Sequence, residues 1–336
     1  MVLTFEQIRT ATLGAARVAE EAGAVRFYRF TAEQQRLYQS YDEKFYQKTF
    51  TTAGVKLCFR TDSPWMAIRA EFVQTAPRSY FSLDVTVDGD YTGSIDNFSD
   101  KILPEDYTTA VLEVGQFEKQ FALGSGLKTV CVYLPWVAAT ALEDLSLADG
   151  SFFEPVRPGK TLLMFGDSIT QGYDALRPMN RYAAKLARAL DAEEFNKAIG
   201  GEVFYPPLAE AKDDLTPDYI TVAYGTNDWS KKKRPEVLKN ARAFYEALCR
   251  NYPDAKLFAL APIWRKDRDE YREYGSFDQM REDLRTITAD LPVTLIDCYD
   301  FVPKDPAFYA DLRLHPNDEG FMHYVEHLTQ AIRAQL

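Results

Sequence analysis

A chain of 336 residues is longer than one hydrophobic core usually supports, so two domains are expected. Hydrophobic residues at 46% and charged residues at 26% are ordinary for a globular protein, and they exclude the disordered and fibrous classes. A formal net charge of −11 argues against nucleic-acid and anionic-membrane partners, which the average surface would repel, and leaves a neutral or cationic small molecule as the better fit.

Met1 to Gly23 has no apolar h-region and carries several acidic residues, so no signal peptide is expected. No apolar run approaches the roughly 20 residues that span a bilayer. The four cysteines, Cys58, Cys131, Cys249 and Cys298, are scattered, form no CxxC pair and read as buried thiols. Together these features point to the cytoplasm.

Phe5 to Glu21 reads as a helix packed on a β-rich half. From about Phe50 to Leu147 the chain alternates with period two. Val55, Leu57 and Phe59 alternate with Lys56, Cys58 and Arg60, and Met66, Ile68, Ala70 and Phe72 continue the pattern. Leu83, Val85 and Val87 lead into the hairpin turn Asp88-Gly89-Asp90, and Val130, Val132 and Leu134 form a further strand. This half is expected to be an all-β, jelly-roll-like sandwich of short antiparallel strands. Asp149-Gly150-Ser151 and Pro155 to Gly159 punctuate the chain, so residues 1–152 are assigned to a β-sandwich accessory domain and 160–336 to a second domain.

In that second domain strands (Thr161 to Phe165, Tyr219 to Tyr224, Lys256 to Leu260, Val293 to Ile296) are separated by helical stretches (Arg181 to Leu190, Glu236 to Arg250, Phe277 to Asp290), and Asn317 to Ala334 forms a final helix. Strands separated by helices imply a parallel sheet covered on both faces, with its site at the carboxyl ends of the strands.

Four polar blocks fit this logic. Gly166-Asp167-Ser168-Ile169-Thr170 sits at a strand-to-helix turn, where a serine hydroxyl is exposed beside the positive end of a helix; an Asp-Ser helix cap is the competing reading. Asn196 to Gly201 offers a glycine N–H to an oxyanion, or is a plain turn. Gly225-Thr226-Asn227-Asp228 offers a side-chain amide for the same purpose, or is a polar turn. His315-Pro316-Asn317-Asp318 places a histidine in a loop before the last helix. The other two histidines, His323 and His327, have i, i+4 spacing but no convincing third ligand, so they read as structural or solvent-facing, and no metal is expected.

In order, these blocks resemble the SGNH (GDSL-like) hydrolase superfamily, whose name records its Ser, Gly, Asn and His. The resemblance covers about Lys160 to Leu336, with Ile169 where leucine is commoner. It implies a flavodoxin-like α/β/α domain in which Ser168 attacks an ester carbonyl and His315 serves as its base. The oxyanion would be bound by the N–H of Ser168, the N–H of Gly201 and the amide of Asn227, with no cofactor. One departure matters: the family's acid lies three residues before the histidine, where this chain has Leu312. Either the loop bulges so that Asp311 reaches the imidazole, or another acceptor orients it, as in members that use a Ser–His dyad. Asp311 is the favoured third member.

A β-sandwich joined to such a domain is similar in layout to carbohydrate acetyl esterases, particularly carbohydrate esterase family two. That likeness implies removal of acyl groups, above all acetyl, from small sugars or short-chain esters. A lysophospholipase or thioesterase and a non-catalytic carbohydrate-binding protein are the alternatives. Trp229 and Trp264, in loops at strand ends, are candidate sugar-stacking residues, with packing at a domain seam as the other reading. Arg181 reads as a helix-surface charge, with a substrate contact as the other reading. The sandwich is open to three roles: sugar binding, covering the site, or association into a homo-oligomer.

Overall fold

The computed structural model describes all 336 residues. Its first half is a sandwich of two antiparallel sheets, and its second is a parallel sheet flanked by helices. In one sheet of the sandwich the strands run in the order Thr12–Leu13, Lys56–Thr61, Lys128–Tyr133, Ser82–Val87, Asp90–Asp96, with Glu154–Pro155 added beside Lys56–Thr61. In the other the order is Arg17–Glu21, Ala24–Tyr28, Ala138–Leu147, Trp65–Gln74, Gly115–Ala122. Period-two alternation turns Leu57, Phe59, Ile68, Ala70, Phe72, Leu83, Val85, Val130 and Val132 inward to one shared core.

The parallel sheet has the order Ala192–Asn196, Lys160–Gly166, Tyr219–Ala223, Lys256–Ala261, Val293–Asp297. This is the flavodoxin-like arrangement, in which the second strand crosses to one side and the rest extend on the other. The strand Lys160–Gly166 is apolar over most of its length because both of its faces are covered. Leu163 and Phe165 meet Phe244 and Leu248 of the helix Arg234–Asn251, while Leu162 and Met164 meet Leu186, Phe321 and Leu328 on the opposite side.

Three expectations change. The helix read over Phe5 to Glu21 stops at Ala11, and Thr12–Leu13 and Arg17–Glu21 are strands. Gly14 breaks it with φ +80°, in a position where a Cβ would meet the carbonyl oxygens of Glu194 and Gly54. Cys58 and Cys131 are not free thiols. They face each other across paired strands, with Cα atoms 4.3 Å apart, and form a disulfide; Cys249 and Cys298 are free. A separation of 73 residues conceals that pairing until the strand register is known. Finally, the helices Ala32–Tyr41 and Glu43–Lys48 belong spatially to the second half: Phe30 and Tyr38 share a core with Phe165 and Phe244.

Candidate active site

Ser168 opens the short helix Ser168–Gln171 directly after the strand Lys160–Gly166. The capping and functional readings of this turn fall on adjacent residues. Asp167 is the cap, its carboxylate accepting the Ile169 N–H at 3.0 Å, which leaves the Ser168 hydroxyl free to meet His315 Nε2 at 2.8 Å. The turn closes at Gly172, which has φ +109° and no room for a Cβ beside the Arg181 side chain. Arg181 is therefore not a surface charge. It is buried in a bidentate pair with Glu194, at 2.9 and 3.1 Å, and braces the turn from below.

His315 lies in the loop before the helix Asp318–Arg333. Leu312, at the position where the resemblance implies an acid, adopts φ +55°. That left-handed residue forms the bulge that returns Asp311 to the imidazole, with Oδ2 2.9 Å from Nδ1. The other oxygen of Asp311 accepts the N–H groups of Arg313, Leu314 and His315 at 3.0, 2.7 and 3.0 Å, so the carboxylate is fixed on both sides.

A second carboxylate, which sequence reasoning missed, reaches the same nitrogen. Asp174 Oδ2 is 3.1 Å from His315 Nδ1. Asp174 is fully buried, with φ +72°. Its partners come from the sandwich: Arg78 binds it bidentately at 2.8 and 3.0 Å, the Tyr80 hydroxyl donates to it, and the Tyr107 hydroxyl donates to its backbone carbonyl at 2.5 Å. The only sequence signal was an acidic residue six positions after Ser168, in a turn behind a glycine; Arg78 and Tyr80 lie about a hundred residues away and gave none.

Burial alone would depress the His315 pKa, but the Asp174 and Asp311 carboxylates outweigh it and hold the imidazole up at about 9. Burial likewise works against ionisation of Asp311, yet the His315 partner and the backbone donors bring its carboxyl well below the usual carboxylate range. Asp174, Asp311 and His315 also place three ligand atoms within 4.8 Å of one another, a spacing a cation could use. Those atoms are already matched by Arg78, Tyr80, the backbone donors and the imidazole N–H, which suits an imidazolium better than a metal.

The asparagine and glycine loops are both tied to the Ser168 turn. Asn227 lies two residues after Gly225 (φ +122°) in the helix Thr226–Lys231, and its amide is 3.3 Å from the Asp167 carboxylate. Asp228 accepts the N–H groups of Gly225 and Phe204, both at 3.0 Å, and so ties the asparagine loop to the glycine loop. Gly200 is bonded to Gln171 of the serine turn at 2.8 Å and backs onto the Tyr173 ring, where a Cβ would come within 2.6 Å. Gly201 has φ +91°, and its N–H has no acceptor inside the protein.

Trp229 and Trp264 are not placed to stack on a sugar. Trp229 is fully buried, with its indole N–H on the Gly275 carbonyl at 2.9 Å, Arg265 and Arg272 against its ring and Phe277 at its edge. Trp264 is buried against Tyr309, with Arg268 on its ring. Both are loop-packing residues, since neither leaves a ring face open. His323 and His327 pack on Phe308 and Phe301.

A doubly covered parallel sheet, with serine, glycine, asparagine and histidine gathered at the carboxyl ends of its strands, defines an SGNH-type acylhydrolase domain. Residues 164–322 match the model of the GDSL-like Lipase/Acylhydrolase family, and the chain carries a domain of that family there. No curated protein matches the sequence. Among solved structures, the salicylyl-acyltransferase SsfX3 from a tetracycline biosynthetic pathway is similar over 96% of this chain and 94% of its own, with a TM-score of 0.79 and 21% identity. A family two carbohydrate esterase from Cellvibrio japonicus is similar over 99% and 97%, with a TM-score of 0.67 and 17% identity. One from Clostridium thermocellum, solved with cellohexaose, is similar over 96% and 98%, with a TM-score of 0.66 and 14% identity. These likenesses span both halves of the fold. No helix is long and apolar enough to cross a membrane.

Proposed function

We propose that this protein is a serine esterase that removes acyl groups, acetyl in the first place, from small carbohydrate esters through an acyl-enzyme. The observation that carries the reading is the relay itself: Ser168 Oγ at 2.8 Å from His315 Nε2, with the far nitrogen of the same ring on buried carboxylates. In this reading Ser168 attacks the ester carbonyl, and His315 takes the serine proton and returns it to the departing alcohol. The N–H groups of Ser168 and Gly201 and the amide of Asn227 stabilise the oxyanion; each such donor is typically worth about 3 kcal/mol in the transition state. Asp311 fixes the imidazole as the resemblance implies, and Asp174 shares that task.

Support for a sugar substrate is architectural. Carbohydrate esterases of family two share the whole two-domain layout. The test is acetate release from a panel of acetylated mono- and oligosaccharides, together with acetyl and palmitoyl 4-nitrophenyl esters. Release by the wild-type protein and none by Ser168→Ala is expected. Preference for palmitoyl would replace the sugar esterase with a lipase, and sugar binding without hydrolysis would replace it with a binding protein.

A further inference from the structure

Two lysines converge on Gly201, the glycine assigned above to the oxyanion. Lys48, from the helix Glu43–Lys48, donates to the Gly200 carbonyl at 2.6 Å, and Lys231, at the end of the helix Thr226–Lys231, donates to the Gly201 carbonyl at 2.9 Å. Seen from the position a Cβ on Gly201 would occupy, the two ammonium nitrogens lie at 3.9 and 3.4 Å, and the Phe45 ring edge at 4.0 Å. Both cations therefore border the same small space. Neither forms an ion pair, although the chain carries 50 acidic residues against 39 lysines and arginines. An ammonium has three donors, and each lysine spends one on a carbonyl. Burial lowers the pKa of both and Lys231 lowers that of Lys48 further, while the carboxylates of Asp167 and Asp228 pull Lys231, and those of Asp42 and Glu202 pull Lys48, in the opposite direction without bonding to either.

An aromatic wall stands beside them. Phe45 stacks on Tyr41 with centroids 5.8 Å apart, Tyr41 stacks on Tyr205 at 4.5 Å, and Lys48 lies over the Phe45 ring at 5.1 Å. Tyr41 is 45% exposed, so the wall is open to solvent, unlike the buried tryptophans.

We propose that Lys48 and Lys231 form an anion subsite, so that the preferred ester is an acylated acidic sugar whose carboxylate or phosphate lies between them and whose ring rests on the Phe45–Tyr41–Tyr205 wall. This rests on the esterase reading and narrows its substrate. It also assigns a use to a positive pair in an otherwise acidic protein: charge-assisted hydrogen bonds to an anion hold the sugar while Ser168 acts on its ester.

The test compares kcat/KM for acetylated methyl glucuronide, acetylated glucose 6-phosphate and acetylated methyl glucoside, in the wild type and in Lys48→Met, Lys231→Met, Lys48→Arg and Lys231→Arg. The wild type should prefer at least one anionic ester over the neutral one by about tenfold or more, the effect of one or two charge-assisted hydrogen bonds. Which anionic ester is preferred identifies the anion as carboxylate or phosphate. The preference should collapse in both methionine variants and survive in the arginine variants. A wild type that hydrolyses the glucoside as well as either anionic ester overturns the subsite. So do methionine variants that slow neutral and anionic esters equally, because the lysines then only brace the glycine loop. Release of acetate from none of the three by the wild type would instead defeat the sugar-esterase reading beneath it.

Discussion

Two carboxylates on one imidazole nitrogen make a specific kinetic prediction. His315 Nδ1 has one proton to donate and two acceptors, Asp311 at 2.9 Å and Asp174 at 3.1 Å. In a relay with a single acid, replacing that acid by its amide presents an N–H to the ring, favours the wrong tautomer and costs about 10⁴ in kcat. Here either carboxylate alone still fixes the tautomer, so Asp311→Asn and Asp174→Asn should each cost only about ten- to fiftyfold, or roughly 1.5–2.5 kcal/mol. The double variant should lose about 10⁴, roughly 5.5 kcal/mol, which exceeds the sum of the single losses. The two variants should also part in stability. Asp311→Asn keeps an oxygen for the three backbone donors, whereas Asp174→Asn strands Arg78, whose side chain is 20% exposed, at a cost of about 2–3 kcal/mol. Steady-state kinetics on 4-nitrophenyl acetate and urea denaturation of the four proteins supply the numbers. A loss of about 10⁴ in either single variant would show that one carboxylate works alone and refute shared orientation.

Other consequences are simpler. The neutral imidazole is the base and the folded-state pKa is held up at about 9, so kcat/KM should climb with pH through a limb near 9 and move to lower pH in Asp174→Asn; a limb near 6.5 in the wild type would contradict the two-carboxylate arrangement. The sign for stability is the opposite: a raised histidine pKa contributes fully below about 6.5 and is lost as pH rises through about 9, so denaturant midpoints should fall over that window in the wild type and less in His315→Ala. Asn227→Ala should lower kcat by about 10²–10³ with KM little changed, and equal losses for a non-ester ligand's binding would point to a collapsed loop instead. Gly172→Ala should be destabilised by several kcal/mol, because φ is +109° and the new Cβ collides with Arg181; its thermal midpoint measures this.

Sequence made the second half legible because its signals are local. A strand buried on both faces reads as an apolar run, and the residues after it read as a site because strand ends are where such sheets bind ligands. The blocks that hold Ser168, Gly201, Asn227 and His315 each read equally well as a cap or a turn, and only their order, through the resemblance to the SGNH superfamily, gave them candidate roles. What stayed hidden depended on pairings at long range. Asp174 acquires its position from Arg78 and Tyr80, and Cys58 meets Cys131 only through strand register. Trp229 and Trp264 misled for the related reason that an aromatic residue just past a strand end looks the same in sequence whether its faces are open or covered. At Leu312 sequence located the problem without solving it, since only the backbone, turning left-handed at φ +55°, shows how Asp311 regains the histidine.

The same long-range pairings bear on whether the halves can be separated. Arg29, fully buried, donates to the carbonyls of Asn196 at 2.7 Å and Ala198 at 3.1 Å, fixing the loop that ends in Gly200 and Gly201. Lys197, in that loop, is completed by the Arg29 carbonyl at 2.6 Å and by Gln34 at 3.1 Å, and the Tyr38 hydroxyl donates to Glu202. The relay histidine in turn depends on Asp174, which Arg78 holds. A fragment of residues 160–336 would therefore lose a wall of its own core, Phe30 and Tyr38, and leave Glu202 without its Tyr38 donor and Lys197 without two acceptors, costs that sum to several kcal/mol on the usual scale for buried polar groups. Expressed alone, it should show no cooperative unfolding transition and no esterase activity, as read by circular dichroism during urea titration and by 4-nitrophenyl acetate hydrolysis. A fragment that unfolds cooperatively and keeps the wild-type turnover number would mean that the sandwich and its helical extension are accessories, and that the Arg78–Asp174 and Arg29–loop contacts do not carry the site.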